Sequence, residues 1–584
     1  MKRFTLSLAA ALLASTPGFA QQPQTESFRE RGVEDEVIYF VLPDRFANGD
    51  TANDLGGYVA DPLVSGFDPS HKGFYHGGDL KGLTEKLDYI QGMGVTAIWF
   101  APIFKNKPVQ GDPGNPGSFS SGYHGYWVTD FTQVDPHFGT NDEFAAFVAA
   151  AHARGMKVYM DIIANHTADV IRFAEDTYDY RSKGEYPYST RGGVDGERIN
   201  QGFDPADPSP ENWAKLTDPT FAYTPVVPEA ERNVKVPAWL NDPIYYHNRG
   251  DTFWIGESST YGDFVGLDDL ATENPRVVAG MIDIFDNWID DFGIDGFRID
   301  LAGQTDEQTL RWLQAELGDD VLIYGEPWIA SNDPDYEANP SWDWYKQDSP
   351  ITFFQDDARN AFKGTPLDDP TPAPASRGFS GGDPAMRDAA LQGVANAYAE
   401  EATPNGGINY LDIHDNWALA DRFAACQAGD CRWDGRQGVR DAEMRIAATL
   451  LLTSLGPVVL HGGTEFAKSK GLAPLAEEWG GELRLDAMPL APIYLKGRGD
   501  TYNLRAANAY DWSQVGADTP VDRAAMLDWW SGLDHLQYTL KICLGMDFNP
   551  PDPCHHRSGP AFHLTQGTAG ERIKPKYHNL RRKR

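Results

Sequence analysis

Two positions in one short apolar run invite a chemical reading. In Gly-Phe-Arg-Ile-Asp at 296–300, Arg298 and Asp300 are two residues apart. In an extended chain that spacing puts both side chains on the same face, so the arginine can pair with the carboxylate and keep it ionised, as a nucleophile requires. Glu326 ends the next apolar run, and a glutamate in a less polar spot has a raised pKa and can hold a proton for a leaving group. Asp415 supplies a third carboxylate, and His166 and His414 can hydrogen-bond hydroxyls. A pocket of this composition suits the positive, oxocarbenium-like character that develops on a sugar when a glycosidic bond breaks.

Each of these groups follows a short β-rich run. Asp161-Ile162-Ile163-Ala164-Asn165-His166, Arg298-Ile299-Asp300, Gly325-Glu326-Pro327-Trp328 and His414-Asp415-Asn416 all sit at such ends. The runs are 37–42, 95–100, 157–162, 294–299, 321–324, 351–354, 408–411 and 457–460. Helical patterns fall between them at 83–93, 144–153, 281–291, 309–317 and 441–455. Strands alternating with helices imply parallel pairing, and eight such units predict a closed α/β (β/α)8 barrel whose C-terminal face carries the polar groups. The rival, an open doubly wound sheet, is expected to show a Gly-rich phosphate loop after an early strand, and none is present. Between the third and fourth runs, 168–270 is rich in Pro, Gly, Asp and Tyr and reads as an inserted loop-rich excursion from the barrel rim. The barrel parts are then 21–167 and 271–533. A second loop-rich segment spans 365–384.

These segments resemble the signature regions of the α-amylase family of retaining glycoside hydrolases. The matching text is DIIANH at 161–166, GFRID at 296–300, GEPW at 325–328 and LDIHDN at 411–416, with GYHGYW at 122–127 and the 139–161 stretch in support. The resemblance covers roughly 36–533. It implies Asp300 as nucleophile, Glu326 as general acid and base, and Asp415 as the group that binds ring hydroxyls and favours the distorted sugar. It implies Arg298 as the residue orienting Asp300, and His166, His414 and Tyr126 as the lining of the subsite for the attacked glucose. The substrate expected is an α-glucan or maltooligosaccharide. A non-catalytic carbohydrate-binding protein would usually lack one of the three carboxylates. A barrel isomerase of phosphorylated sugars would want a Gly-rich phosphate grip, for which HGGTEF at 461–466 is a poor candidate.

The family match leaves the linkage open. VLPDRFANGD, GYHGYW and DPHFGTNDEF look like enzymes acting on α-1,4 bonds. YGEPW, FRIDLAG, FFQDDARNAFKG and NYLDIHDNWALADRF look more like pullulanases, which cut α-1,6 branches. The balance leans to α-1,4 hydrolysis, with α-1,6 debranching as the alternative.

Calcium (Ca2+) is the cofactor expected. Asn48, Asp50, Asn53 and Asp54, with Gly77 and Asp79, are dense in the hard oxygens that this ion takes. They resemble a site near the first barrel strand of cyclodextrin-forming members, although an Asx-rich turn would look similar. Asn165 and Asp269 fit a second family site between excursion and barrel, weakened here because Gln304 stands where the family usually has histidine.

Lys2 and Arg3, an apolar run over 4–15, and Gly18-Phe19-Ala20 read as a signal peptide at 1–20, which predicts a periplasmic or secreted protein. No later run is long and apolar enough to predict a membrane span. A net charge of -35 disfavours nucleic acid as a partner but not a neutral glucan. Cys426 and Cys431 have the spacing of a small disulfide, with reduced thiols the alternative; Cys543 and Cys554 lie in the tail. That tail, 534–584, turns basic and ends Arg581-Arg582-Lys583-Arg584. It reads as an irregular appendage, a disordered segment or the product of a reading-frame change, and the abrupt switch from acidic to basic favours the last. Oligomeric state is not legible in the sequence.

Overall fold

The computed structural model describes residues 27–71, 73–111, 118–253, 256–303, 305–318, 321–326, 351–364, 378–398, 407–415, 418–423, 441–468, 510–515 and 525–533. The signal-like segment, all four cysteines, Gln304, Pro327, Trp328, Asn416, residues 365–377 and the tail at 534–584 lie outside the described residues.

Eight strands build the central sheet: β1 Val37–Val41, β2 Ala97–Phe100, β3 Lys157–Ile163, β4 Gly296–Asp300, β5 Leu322–Gly325, β6 Thr352–Phe353, β7 Asn409–Tyr410 and β8 Val458–His461. Their order is β6-β5-β4-β3-β2-β1-β8-β7, every pair parallel. A parallel bridge between Phe354 and Ile408 joins the two ends. Ile408 N donates to Phe353 O at 2.8 Å and Gln355 N donates to Ile408 O at 2.9 Å, so the sheet curls onto itself as a (β/α)8 barrel. The expected fold class is the one observed.

Parallel strands covered on both faces read as continuous apolar runs, and every residue of β1, β2, β3, β4, β5 and β8 is buried. Aromatic rings pack the sheet's buried side: Phe40 meets Trp99 at 4.0 Å between centroids, and Trp99 meets Phe354 at 5.6 Å and Tyr324 at 5.9 Å.

The helices between strands bury one stripe each. After β1 come α1 Leu80–Glu85 and α2 Leu87–Gly92. Helix α3, Asn141–His152, starts with a capping box between Thr140 and Glu143 and buries Phe144, Phe147, Val148 and Ala151. That i, i+3, i+4, i+7 spacing is one face of a helix, and it sets Phe144 and Phe147 edge-on to Phe100 of β2. Helix α4, Pro275–Phe292, is capped by Asn274 and stopped by Gly293 at φ 70°. Next come α5 Glu307–Leu317, α6 Asp356–Lys363, α7 Arg387–Val394 and α8 Asp441–Leu452. No helix among the described residues is long and apolar enough to cross a membrane.

The stretch between β3 and α4 holds only short elements, such as the antiparallel pair Arg172–Phe173 with Pro225–Val226. It rejoins the barrel where Asp268–Asp269 pairs antiparallel with His166–Thr167, directly after β3.

Candidate active site

Register alone brings the first charges together. Arg298 on β4 lies opposite Asp161 on β3 and Tyr324 on β5. Its fully buried guanidinium donates through Nη1 to Asp161 Oδ1 at 2.8 Å and to Asp300 Oδ1 at 3.0 Å, and through Nη2 to Glu326 Oε1. Directly after β4 the backbone turns through Leu301, at φ 49°. This left-handed conformation is rare for a side chain of that size. The Leu301 N–H donates to the second Glu326 oxygen at 3.3 Å.

Arg298 meets Asp300, as its spacing predicts, and two further carboxylates besides. The third, Asp161, was read only as part of the polar run at 161–166 and was given no role; it sits inside β3 rather than past its end. Its other oxygen accepts from Trp99 Nε1 at 3.1 Å and from the Tyr126 hydroxyl at 3.3 Å. Burial pushes the Asp161 carboxyl up to about 7, against the pull of Arg298 and helped by the charge of Asp300. The motif DIIANH begins with it, but its pairing with Arg298 follows only from the β3–β4 register, which needs the sheet order.

Asp300 and Glu326 are both raised, mainly by burial. For Asp300, Arg298 and His166 pull the pKa back down while Asp415 pushes it up. Glu326 is raised well above the usual carboxylate range, with Asp300, Asp415 and Asp161 adding to burial and only Arg298 opposing. Asp300 keeps 9% of its surface exposed against 3% for Glu326. Asp300 is thus the more open carboxyl of the pair, and Glu326 the more strongly raised.

Four predicted groups surround them. Tyr126 lies nearly parallel to His414, with centroids 5.9 Å apart and planes at 12°. Its hydroxyl, donating to Asp161, is 3.2 Å from His414 Nε2. Asp415 Oδ2 lies 3.4 Å from the same nitrogen. His166 Nε2 is 3.3 Å from Tyr126 O, and its Nδ1 is buried with no protein partner. Burial lowers the His166 pKa, so the ring is a neutral hydrogen-bonding group. His124, also missed, is pushed down to about 3 by burial and by His414, Arg45 and His166; its Nδ1 accepts from Tyr126 N at 3.1 Å. The run GYHGYW carries His124 two residues before Tyr126, so the motif itself held that signal.

The Asn48 loop gathers the residues expected to hold calcium. Asn48 Nδ2 donates to Asp54 Oδ1 at 2.8 Å, and a Cβ on Gly77 would sit 2.4 Å from both atoms. Asn53 Oδ1 is buried without a partner. Burial, Asp79 and Asp50 raise the Asp54 pKa, against the Asn48 hydrogen bond. Asp79 instead braces the loop: it accepts from the N–H groups of Gly49 (3.0 Å), Asp50 (2.7 Å) and Gly82 (2.6 Å) and from Asn53 Nδ2 (3.3 Å). Among the described residues no trio of His, Cys, Asp or Glu by itself forms a metal cluster. The loop's donor set, with amide and carbonyl oxygens beside its carboxylates, fits a hard cation.

The second expected site does not fit one. Asn165 and Asp269 do meet, with Asn165 Nδ2 donating to Asp269 Oδ1 at 3.0 Å. The other Asp269 oxygen is 2.5 Å from His247 Nδ1. Burial opposes charge on His247, but Glu273 and Asp269 outweigh it and push the imidazole up to about 9. Both Asp269 carboxylate oxygens thus already have nitrogen partners.

Comparisons with known proteins agree with this geometry. The model of the alpha amylase catalytic domain matches residues 40–351. An alpha-amylase of Streptomyces lividans is 45% identical over 417 residues, 69% of this chain and 41% of that protein. Neopullulanase 2 of Thermoactinomyces vulgaris is 28% identical over 443 residues, 75% of this chain and 57% of its own length. This chain therefore spans about two fifths to three fifths of these curated relatives. Among solved structures, the alpha-amylase of Geobacillus thermoleovorans, complexed with acarbose, aligns at TM-score 0.51 and 25% identity, over 88% of this chain and 80% of that one. With its catalytic-domain match running from the first barrel strand to the residue before the sixth, the chain belongs to the α-amylase family.

Proposed function

We propose that the protein is a retaining glycoside hydrolase that cleaves α-1,4-glucosidic bonds in starch-like glucans or maltooligosaccharides. One observation carries the reading: Asp300 and Glu326, from adjacent strands, meet on one buried guanidinium at the barrel mouth. In the first step an Asp300 oxygen attacks the anomeric carbon as the glycosidic C–O bond breaks, and Glu326 gives its proton to the departing oxygen. In the second, the Glu326 carboxylate takes a proton from water. The resulting hydroxide attacks the same carbon and releases Asp300, so two inversions retain configuration. The raised pKa of Glu326 suits the acid role. In this reading Asp415 binds ring hydroxyls, Tyr126 stacks on the sugar, and His414 and the open Nδ1 of His166 meet its hydroxyls.

Calcium at Asn48, Asp50, Asn53, Asp54 and Gly77, with Asp79 bracing them, would tie the segment after β1 to the start of α1. When bound, the ion supplies charge neutralisation and rigidity. The signal-like first residues support export to the periplasm or beyond.

The identity to an alpha-amylase supports α-1,4 action, and the likeness to a neopullulanase keeps α-1,6 cleavage as the outcome to test against. Incubation with amylose and with pullulan separates them. Shortened amylose with pullulan intact supports the reading, and maltotriose from pullulan replaces it with debranching. Asp300→Ala is expected to abolish both activities; normal turnover by the purified variant would overturn the mechanism.

A further inference from the structure

Where the long excursion returns to the barrel, two consecutive aspartates are buried, and each has its own cation. Asp268 accepts from Lys235 Nζ at 2.5 Å and from the N–H groups of Val170 and Ile171. Lys235 Nζ also donates to the Tyr246 hydroxyl at 3.0 Å. Asp269 faces His247 Nδ1 at 2.5 Å, and His247 Nε2 faces Glu273 Oε2 at 2.9 Å. Carboxylates only accept, so a ring held between two of them must donate from both nitrogens and is an imidazolium. The side chains of Lys235, Asp268, His247 and Asp269 are each no more than 2% exposed.

We propose that this seam is closed by side-chain cations, Lys235 and His247, in the place where the sequence pattern reserves a second calcium ion, and that no metal binds there. Calcium needs six to eight oxygens. Here both Asp269 carboxylate oxygens already have nitrogen partners, Asn165 Nδ2 on one and His247 Nδ1 on the other. The backbone atoms are engaged as well: Leu270 N donates to Asn165 O at 2.9 Å and His247 N to Asp269 O at 3.1 Å. The seam matters to the active site because Asp268–Asp269 pairs with His166–Thr167, so whatever fastens the excursion also fixes His166. The inference is independent of which glucan is cut.

Two measurements on the intact protein test it. The calcium content after dialysis against the ion should be one per chain, or none if the Asn48 loop is also empty; two would overturn the proposal. Limited proteolysis within 168–270, scored relative to cleavage elsewhere, should be unchanged by chelation. It should become about tenfold faster or more in His247→Gln, because removing one partner strands buried charge. Selective opening of that segment by chelation, or a wild-type cleavage pattern in His247→Gln, would overturn it. Should His247→Gln fail to fold, the two wild-type measurements still decide.

Discussion

Replacing Asp161 by Asn tests whether the shared guanidinium governs this site. The carboxyl titrates near 3.8 when exposed and is pushed up to about 7 in the folded barrel. Below pH 3.8 it is protonated in both states and has no pH-dependent effect. Between 3.8 and about 7 the folded state binds more proton than the unfolded, so stability falls as pH rises, and the loss is complete above about 7. At about 1.4 kcal/mol per pH unit, that interval is worth about 4 kcal/mol. Asparagine does not titrate, so the Asp161→Asn variant escapes the loss. Against this, its amide nitrogen would face Trp99 Nε1–H, a donor facing a donor, and an unsatisfied buried group costs about 1–3 kcal/mol. The two effects oppose each other at neutral pH, so the pH dependence of the difference, rather than its offset, reports on Asp161. Denaturant midpoints followed by tryptophan fluorescence from pH 4 to 8 should show the variant gaining on wild type by about 3–4 kcal/mol as pH rises. Meanwhile kcat/KM should fall, since Asp161 no longer shares the charge of Arg298. Parallel stability curves would refute the reasoning, because they would mean that Asp161 ionises in the barrel as it does in water.

Glu326→Gln should lower kcat by about 10²–10⁴ and remove the alkaline limb from the pH profile of maltooligosaccharide hydrolysis. The sign follows from the raised pKa: the acid form is present at low pH and lost as pH climbs through its folded value. A variant that keeps the wild-type limb would assign it to another group. Chelation should lower the Tm of the wild-type protein. Gly77→Ala should lower it by a few degrees without chelator, since φ is +92° and the new Cβ would meet Asn48 and Asp54 at 2.4 Å. The same variant should then be insensitive to chelator; a wild-type response would move the ion away from this loop.

The eight barrel strands were legible because a strand covered on both faces is largely apolar, and four of the runs end in a polar cluster. Even β6 and β7, two residues long, lie within the runs read at 351–354 and 408–411. What the sequence hid depends on neighbours distant in the chain. Asp161 meets Arg298 across 137 positions and only through the β3–β4 register. His247 reaches Asp269 from inside a segment without regular periodicity, so an aspartate that matched a metal-ligand pattern turned out to be paired already. Asp79, read as a calcium ligand, also caps α1 and accepts from the N–H groups of the Asn48 loop, a role its type and spacing did not show. The pattern gave the residue types, and partner identity came from the fold.

The charge count at the barrel mouth makes its acid–base asymmetry a property of the barrel itself. One guanidinium faces Asp161, Asp300 and Glu326 with almost no water to screen them. Full ionisation of the three would leave a net charge of minus two in a buried space, so near neutral pH a proton must be retained among them. The residue that keeps it is selected by surroundings. Asp300 is the most open of the three and has His166 as well as Arg298 to favour its anion, whereas Glu326 is closed and has Asp300, Asp415 and Asp161 against it. The same chain that presents a nucleophile therefore presents its acid, provided that β4 stays in register. A slip of one residue would turn Arg298 and Asp300 to the opposite face together and leave Asp161 and Glu326 without a counter-ion. The covered β4 strand, buried along its whole length, is what forbids that slip.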